Sequence, residues 1–169
     1  MMTVTEAIRS RRSIRKYKSD PIPPAHIRLI LEAAMNAPSA CNTRPWEFVV
    51  VTDAKMRSRL ATVHPYAKHA AQSPAVIVVC ALPETQGRVA KGFFPQDCAA
   101  ATQNILLQAQ ELGYGTCWCG IYPNERPISA VRDVLGVAST PFCLITLGVA
   151  DEAPEARGFY EQAKVRFLD

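Results

Sequence analysis

The chain reads as an α+β protein with one central sheet and helices on both of its faces. Two observations predict this. Segments 46–51, 76–81, 115–119 and 142–147 are apolar, β-branched or aromatic runs of strand length. The stretches between them carry helical periodicity and end at glycine or proline. Strands alternating with helices must bury the sheet from both sides.

The elements follow in order. Thr3-Val4-Thr5-Glu6 has the form of a capping box, and a short helix runs from it to about Arg11. Asp20-Pro21-Ile22-Pro23-Pro24 is a rigid connector, with Pro24 suited to a first helical turn. Ile27, Ile30, Leu31 and Ala34 form the stripe of that helix, which ends before Pro38. Trp46–Val51 is a strand, and Asp53 caps a short helix to Leu60. Val76–Cys80 is apolar throughout, as a strand buried on both faces would be. Gly87 and Gly92 flank a loop.

The longest helix spans about Pro95 to Leu112 and stops at Gly113. Its stripe is Cys98, Thr102, Ile105, Leu106, Ala109 and Leu112, but Ala99, Ala100, Ala101 and Leu107 leave the other side only weakly polar. Such a helix is central or lies in an interface. Gly115–Gly120 is a strand, Asn124–Leu135 a helix closed by Gly136, and Phe142–Leu147 the last buried strand. Residues 151–169 form a polar, partly helical tail.

At 169 residues the chain fits a single domain, 1–169, or one half of an interlocked dimer. Hydrophobic residues at 49% and charged residues at 20% exclude disorder. The net charge of +4 is concentrated: Arg9, Arg11, Arg12, Arg15, Lys16 and Lys18 face only Glu6 in the first eighteen residues. This local excess suits a small anion; a nucleic-acid binder would need a broader basic face. No apolar run is long enough to span a bilayer and nothing marks a secretory signal, so no membrane partner is expected. The six cysteines include no C-x-x-C pair, and the histidines lack metal spacing, so no metal is expected. A reduced, cytoplasmic setting follows.

Two constellations point to chemistry. In Arg11-Arg12-Ser13-Ile14-Arg15-Lys16-Tyr17, guanidiniums and a hydroxyl crowd together as a phosphate site requires. The same run is also what a solvated helix terminus carries. Ala37-Pro38-Ser39-Ala40-Cys41-Asn42-Thr43-Arg44-Pro45-Trp46 is a polar loop entering a strand. Ser39 and Asn42 offer donors and acceptors for the polar edge of a ring, while Pro-Ser and Asn-Thr are equally plain turn formers.

Other motifs fail. Gly113-Tyr114-Gly115 would need a third glycine at Trp118, so the dinucleotide fingerprint is absent. Neither a P-loop nor a G-x-S-x-G elbow occurs. Cys117 and Cys119 share one face of a strand, but without two further ligands they read as buried thiols. His26, His64 and His69 read as surface or loop residues.

In order and spacing, Arg11–Tyr17, Ala37-Pro38-Ser39 with Asn42 and Pro45-Trp46, Asp97 through Gly120, Leu147-Gly148 and Arg157 resemble the FMN-dependent nitroreductase family. The resemblance covers nearly the whole chain. It implies an α/β/α sandwich with a central mixed sheet, built as an intertwined homodimer with FMN at the subunit interface. Arg11, Arg12 and Ser13 would hold the FMN phosphate together with Arg157, and Arg15 would approach the pyrimidine edge. Pro38, Ser39 and Asn42, from the second copy, would border the flavin. The backbone at Cys119 and Gly120 would donate near N5 and O4, and the Pro95–Leu112 helix would form the dimer core.

The implied activity is hydride transfer from NAD(P)H through flavin N5 to a small electron-poor acceptor, a nitroaromatic or quinone, by a ping-pong mechanism. No catalytic side chain is then required, because the cofactor carries the chemistry. Tyr66-Ala67-Lys68-His69 departs from the family pattern, as does Arg44 where glutamine is common. Segment 83–95 is too small for the substrate-covering insertion of some members. The alternatives are a flavin carrier or sensor without turnover, another flavin chemistry on the same scaffold such as dehalogenation or dehydrogenation, or a thiol redox regulator at Cys117 and Cys119.

Overall fold

The computed structural model describes residues 2–155 and 157–168. Helix α1 (Val4–Ser10) begins at the capping box: the Thr3 side chain accepts from the Glu6 amide while the Glu6 carboxylate accepts from the Thr3 amide. Helix α2 (Pro24–Met35) follows the proline connector. Strand β1 (Trp46–Val51) leads through the Asp53 cap into α3 (Ala54–Val63). Strand β2 (Ala75–Ala81), helix α4 (Phe94–Glu111), strand β3 (Gly115–Gly120), helix α5 (Glu125–Leu135) and strand β4 (Thr140–Gly148) complete the order. Gly136 takes the left-handed conformation that ends α5, with φ 69°.

The sheet runs β1-β2-β4-β3, and every neighbouring pair is antiparallel. A mixed sheet is the expectation from sequence, but this one is antiparallel throughout its strands; the parallel contact between Ser13 and Thr116 is an isolated bridge outside them. Alternation along the strands sorts the core into two layers. Ile77, Val79, Ala81, Cys143, Ile145 and Leu147 face α2 and α4. Val76, Val78, Cys80, Leu144, Cys117 and Cys119 face α3 and α5. Strand β2 is buried at every residue, as its unbroken apolar sequence requires. No helix among the described residues is long and apolar enough to cross a membrane.

The tail departs from expectation. Its described part holds only a short 3-10 turn, Gln162–Lys164. Phe159, Tyr160, Phe167 and Leu168 stand exposed along it. With no apolar stripe to lay on the core, this segment has nothing to drive helix formation.

Candidate active site

The arginine run leaves α1 at its C-cap, Arg11, and lies along the outer edge of β3 and the end of β4. Buried Ile14 anchors it, its amide donating to the Thr116 carbonyl at 2.9 Å. Beyond it, the Tyr17 hydroxyl donates to the Ile14 carbonyl and sits 2.6 Å from Thr146 Oγ1. Burial pushes the Tyr17 phenol up from its ordinary pKa, so it stays a neutral structural bolt. The Lys18 amide donates to Val149 and the Asp151 amide to Lys16, each at 2.9 Å. These bonds bring the chain's first and last segments side by side.

The result is an open cleft of about 520 Å³ lined by Arg11, Arg12, Ser13, Arg15, Glu152, Pro154, Glu155 and Arg157. The four arginines do different work. Arg12 is spent on the tail: its Nε donates to the Glu155 carbonyl at 2.8 Å and its Nη2 to the Arg157 carbonyl at 2.6 Å. A third bond, from Nη1, goes to the Arg11 carbonyl. The Glu152 carboxylate accepts from the backbone amides of Arg15 and Lys16. The side chains of Arg11, Arg15 and Arg157 make no ion pair among the described residues. Three guanidiniums thus line one cleft without carboxylate partners, which is the donor set that a phosphate group fits.

Pro38, Ser39 and Asn42 lie elsewhere, in the loop between α2 and β1, and do not line this cleft. The loop is tightly built. Cys41, Asn42 and Arg44 all have left-handed backbones, with φ of 51°, 54° and 49°. Non-glycine residues adopt this conformation at a cost and cluster in it at functional sites. Ser39 Oγ accepts from the Arg44 amide at 2.9 Å, and Asn42 Oδ1 from Arg44 Nε at 3.1 Å. Arg44 is therefore part of the loop's own frame.

Buried Asp97, in the first turn of α4, ties this loop down. Its carboxylate accepts from the Ala40 amide at 2.9 Å and from Gln86 Nε2 at 3.1 Å, and Gln86 Oε1 accepts from the Phe94 amide. Sequence reasoning missed this role, although an acidic residue in a first helical turn is a visible signal. Asp97→Ala is expected to cost about 1–3 kcal/mol by leaving buried donors unpaired. Thermal melts and faster hydrogen exchange at the Ala40 amide would check it.

Cys119 and Gly120 lie at the far end of β3, an edge strand of the sheet. Peptide groups along a strand alternate between its two edges. The Thr116 carbonyl faces the outer edge, where Ile14 meets it, so the peptide groups of Trp118 and Gly120 face outward as well. Gly120 is exposed there. The peptide groups of Cys119 face β4, and its side chain is buried on the α3/α5 face.

The histidine expectation needs correction. His69 is buried, held in the 3-10 turn Lys68–Ala71 beneath the sheet. Its Nε2 lies 3.8 Å from Cys119 Sγ. His26 is half-buried, with Nδ1 2.7 Å from the Tyr114 hydroxyl. Nothing in the local sequence around His69 is strongly apolar; its burial comes from tertiary packing under β3. The two β3 thiols lie within 4.8 Å of one another and titrate as a pair, their mutual interaction lowering Cys117 and raising Cys119. Burial is the main cause that pushes the Cys80 and Cys98 thiols up, to about 11 and about 12, with nearby Glu47 and Asp97 adding to it.

A sheet flanked by helix pairs, with an arginine-lined cleft between its edge strand and the tail, defines an α+β protein with a cationic site at the sheet edge. The Nitroreductase family pattern matches residues 8–64 and 61–149, and the chain belongs to that family. It is 40% identical over 166 residues to an NADH dehydrogenase/NAD(P)H nitroreductase of Methanothermobacter thermautotrophicus, covering 97% of this chain and 86% of that protein. Among solved structures it is similar to an FMN-dependent nitroreductase of Clostridium difficile, with TM-score 0.88 and 30% identity over 96% of this chain and 98% of the other. A nitroreductase of Desulfovibrio desulfuricans in complex with FMN aligns with TM-score 0.82 and 27% identity, covering 100% of this chain and 98% of that one.

Proposed function

We propose that this protein is an FMN-dependent oxidoreductase that passes reducing equivalents from NAD(P)H to a small electron-poor acceptor such as a nitroaromatic or quinone. The observation that carries the reading is the cleft in which Arg11, Arg15 and Arg157 stand without carboxylate partners beside the open edge of β3. An FMN phosphate brings roughly two negative charges, which such a group of guanidiniums complements. The family and its FMN-bearing structural neighbours support the same cofactor.

When bound, FMN supplies hydride acceptance at N5 and hydride donation to the acceptor. This chain's residues bind and orient it. Arg11, Ser13 and Arg157 hold the phosphate, and Arg12 keeps Arg157 in place through the tail carbonyls. Arg15 sets a positive charge toward the pyrimidine edge and favours the anionic, reduced ring. Gly120 presents an outward amide that fixes the ring's polar edge without needing an acid or base, and the Cys119 backbone supports it from the ladder.

The site is completed by a second copy of the chain. Pro38, Ser39 and Asn42 do not reach the arginine cleft of their own chain, so in a homodimer they border the ring bound by the other subunit. An apolar groove lined by Val4, Ala7, Ala33 and Leu107 runs between α1, α2 and α4. It gives α4 the partly uncovered side that an interface helix needs.

The test is direct. Purified protein is expected to be yellow, to bleach anaerobically with NADH or NADPH, and to recover colour when a nitroaromatic or quinone is added. A colourless protein that takes up no FMN on reconstitution would sink the reading. Bound flavin that neither nicotinamide reduces would instead favour a carrier or sensor.

A further inference from the structure

We propose that His69, Cys117 and Cys119 form a binding site for one soft d10 cation of the Zn(II), Cd(II) or Cu(I) class, the two thiols lying on the α3/α5 face of the sheet. The ligand atoms of these three buried residues all lie within 4.8 Å of one another. Cys119 Sγ and His69 Nε2 are 3.8 Å apart. A cation about 2.3 Å from sulfur and about 2.0 Å from imidazole nitrogen holds its ligands roughly 3.5–4 Å from each other, so small side-chain shifts close the site. Two thiolates and an imidazole are the donors that select such ions over magnesium or calcium.

The placement follows from the fold. Residues two apart on β3 project to one face, which sets both sulfurs beneath the sheet. The turn Lys68–Ala71 lifts His69 toward them. The Tyr17 ring stacks on His69 with centroids 6.5 Å apart, and Tyr17 is itself bolted to Thr146, so the imidazole is oriented from behind. Cys119 Sγ also donates to the Tyr66 carbonyl at 3.7 Å. That carbonyl, under the exposed Tyr66, marks the side from which a fourth ligand or solvent would approach.

A disulfide is the competing use of the two thiols. Residues two apart on one strand have Cα atoms roughly 6.6–6.8 Å apart, at the extreme of what a disulfide spans. A bridging cation has no such constraint. Binding releases the thiol protons to solvent and changes no oxidation state.

The test uses FMN-loaded protein kept under a phosphine reductant and titrated with Cd(II). The expected result is one equivalent bound per chain, with a sulfur-to-metal charge-transfer band in the difference spectrum, proton release and a raised melting temperature. Cys117→Ser or Cys119→Ser is expected to weaken binding on the order of a hundredfold and His69→Ala roughly tenfold or more. Cys41→Ser should leave the band intact, because Cys41 is the exposed thiol. Cadmium-113 NMR of the unmutated protein gives an independent reading of a two-sulfur, one-nitrogen donor set, so a variant that misfolds does not blunt the test. Absence of the band, or its loss in Cys41→Ser alone, would overturn the proposal.

Discussion

Replacing Arg11 and Arg157 together by alanine is expected to weaken FMN binding on the order of a hundredfold or more. Each substitution removes charge-assisted hydrogen bonds, worth about 1.5–3 kcal/mol apiece. These two are chosen because neither guanidinium is committed to a carboxylate among the described residues. Arg12 makes the informative comparison. Its side chain is engaged with the carbonyls of Glu155 and Arg157, so Arg12→Ala should act through the tail. Arg12→Lys should rescue it poorly, because an ammonium cannot reproduce the guanidinium's two-pronged geometry. Fluorescence titration of apoprotein with FMN and with riboflavin separates the cases. The double mutant should lose its preference for the phosphorylated form, and undiminished FMN affinity would refute the phosphate assignment.

Gly115→Ala is expected to be a strongly damaging one-methyl change beside the arginine run. A Cβ there would sit 2.7, 2.8 and 2.9 Å from three side-chain atoms of Ile14, among them its own Cβ. That Cβ is fixed to the backbone, so a rotamer change cannot relieve the overlap. The arginine run must lift from β3, at the expense of the Ile14-to-Thr116 bond. Overpacking of this kind costs about 1–3 kcal/mol. The melting temperature and FMN affinity should fall together. As a control, Gly120→Ala meets no atom within 4 Å and should leave the melting temperature nearly unchanged. A Gly115→Ala protein with unaltered stability and FMN affinity would show that the run does not depend on this close approach.

Local signals carried most of the elements. The capping box at Thr3, Pro24 at a helix start, the Asp53 cap and the Gly136 stop each act within a few residues, and helices α1, α2, α3 and α5 begin or end there. The unbroken apolar run of β2 announced burial on both faces. Pairings between distant segments were not legible. Nothing local sets the order β1-β2-β4-β3, nor the antiparallel sense of each pair. His69 shows the same limit: its approach to Cys119 spans fifty residues and exists only once β3 covers the turn. Arg12 shows it more finely. The sequence reveals a cation beside Ser13, but only the folded tail decides whether that cation meets a ligand or a carbonyl.

The clamp from Arg12 to the tail also sets an order of events in the life of the chain. The arginine run is synthesised well before Glu152, Glu155 and Arg157. A nascent chain that has not yet released residues 152–157 carries the cations but no cleft. On the proposed phosphate assignment, cofactor loading follows synthesis of residues 152–157, and a bound phosphate would act as a staple between segments 145 residues apart. Its stabilisation grows with the free cofactor concentration relative to Kd. On that assignment, flavin-free protein is expected to be looser, and cleaved faster in limited proteolysis, than the FMN-loaded form.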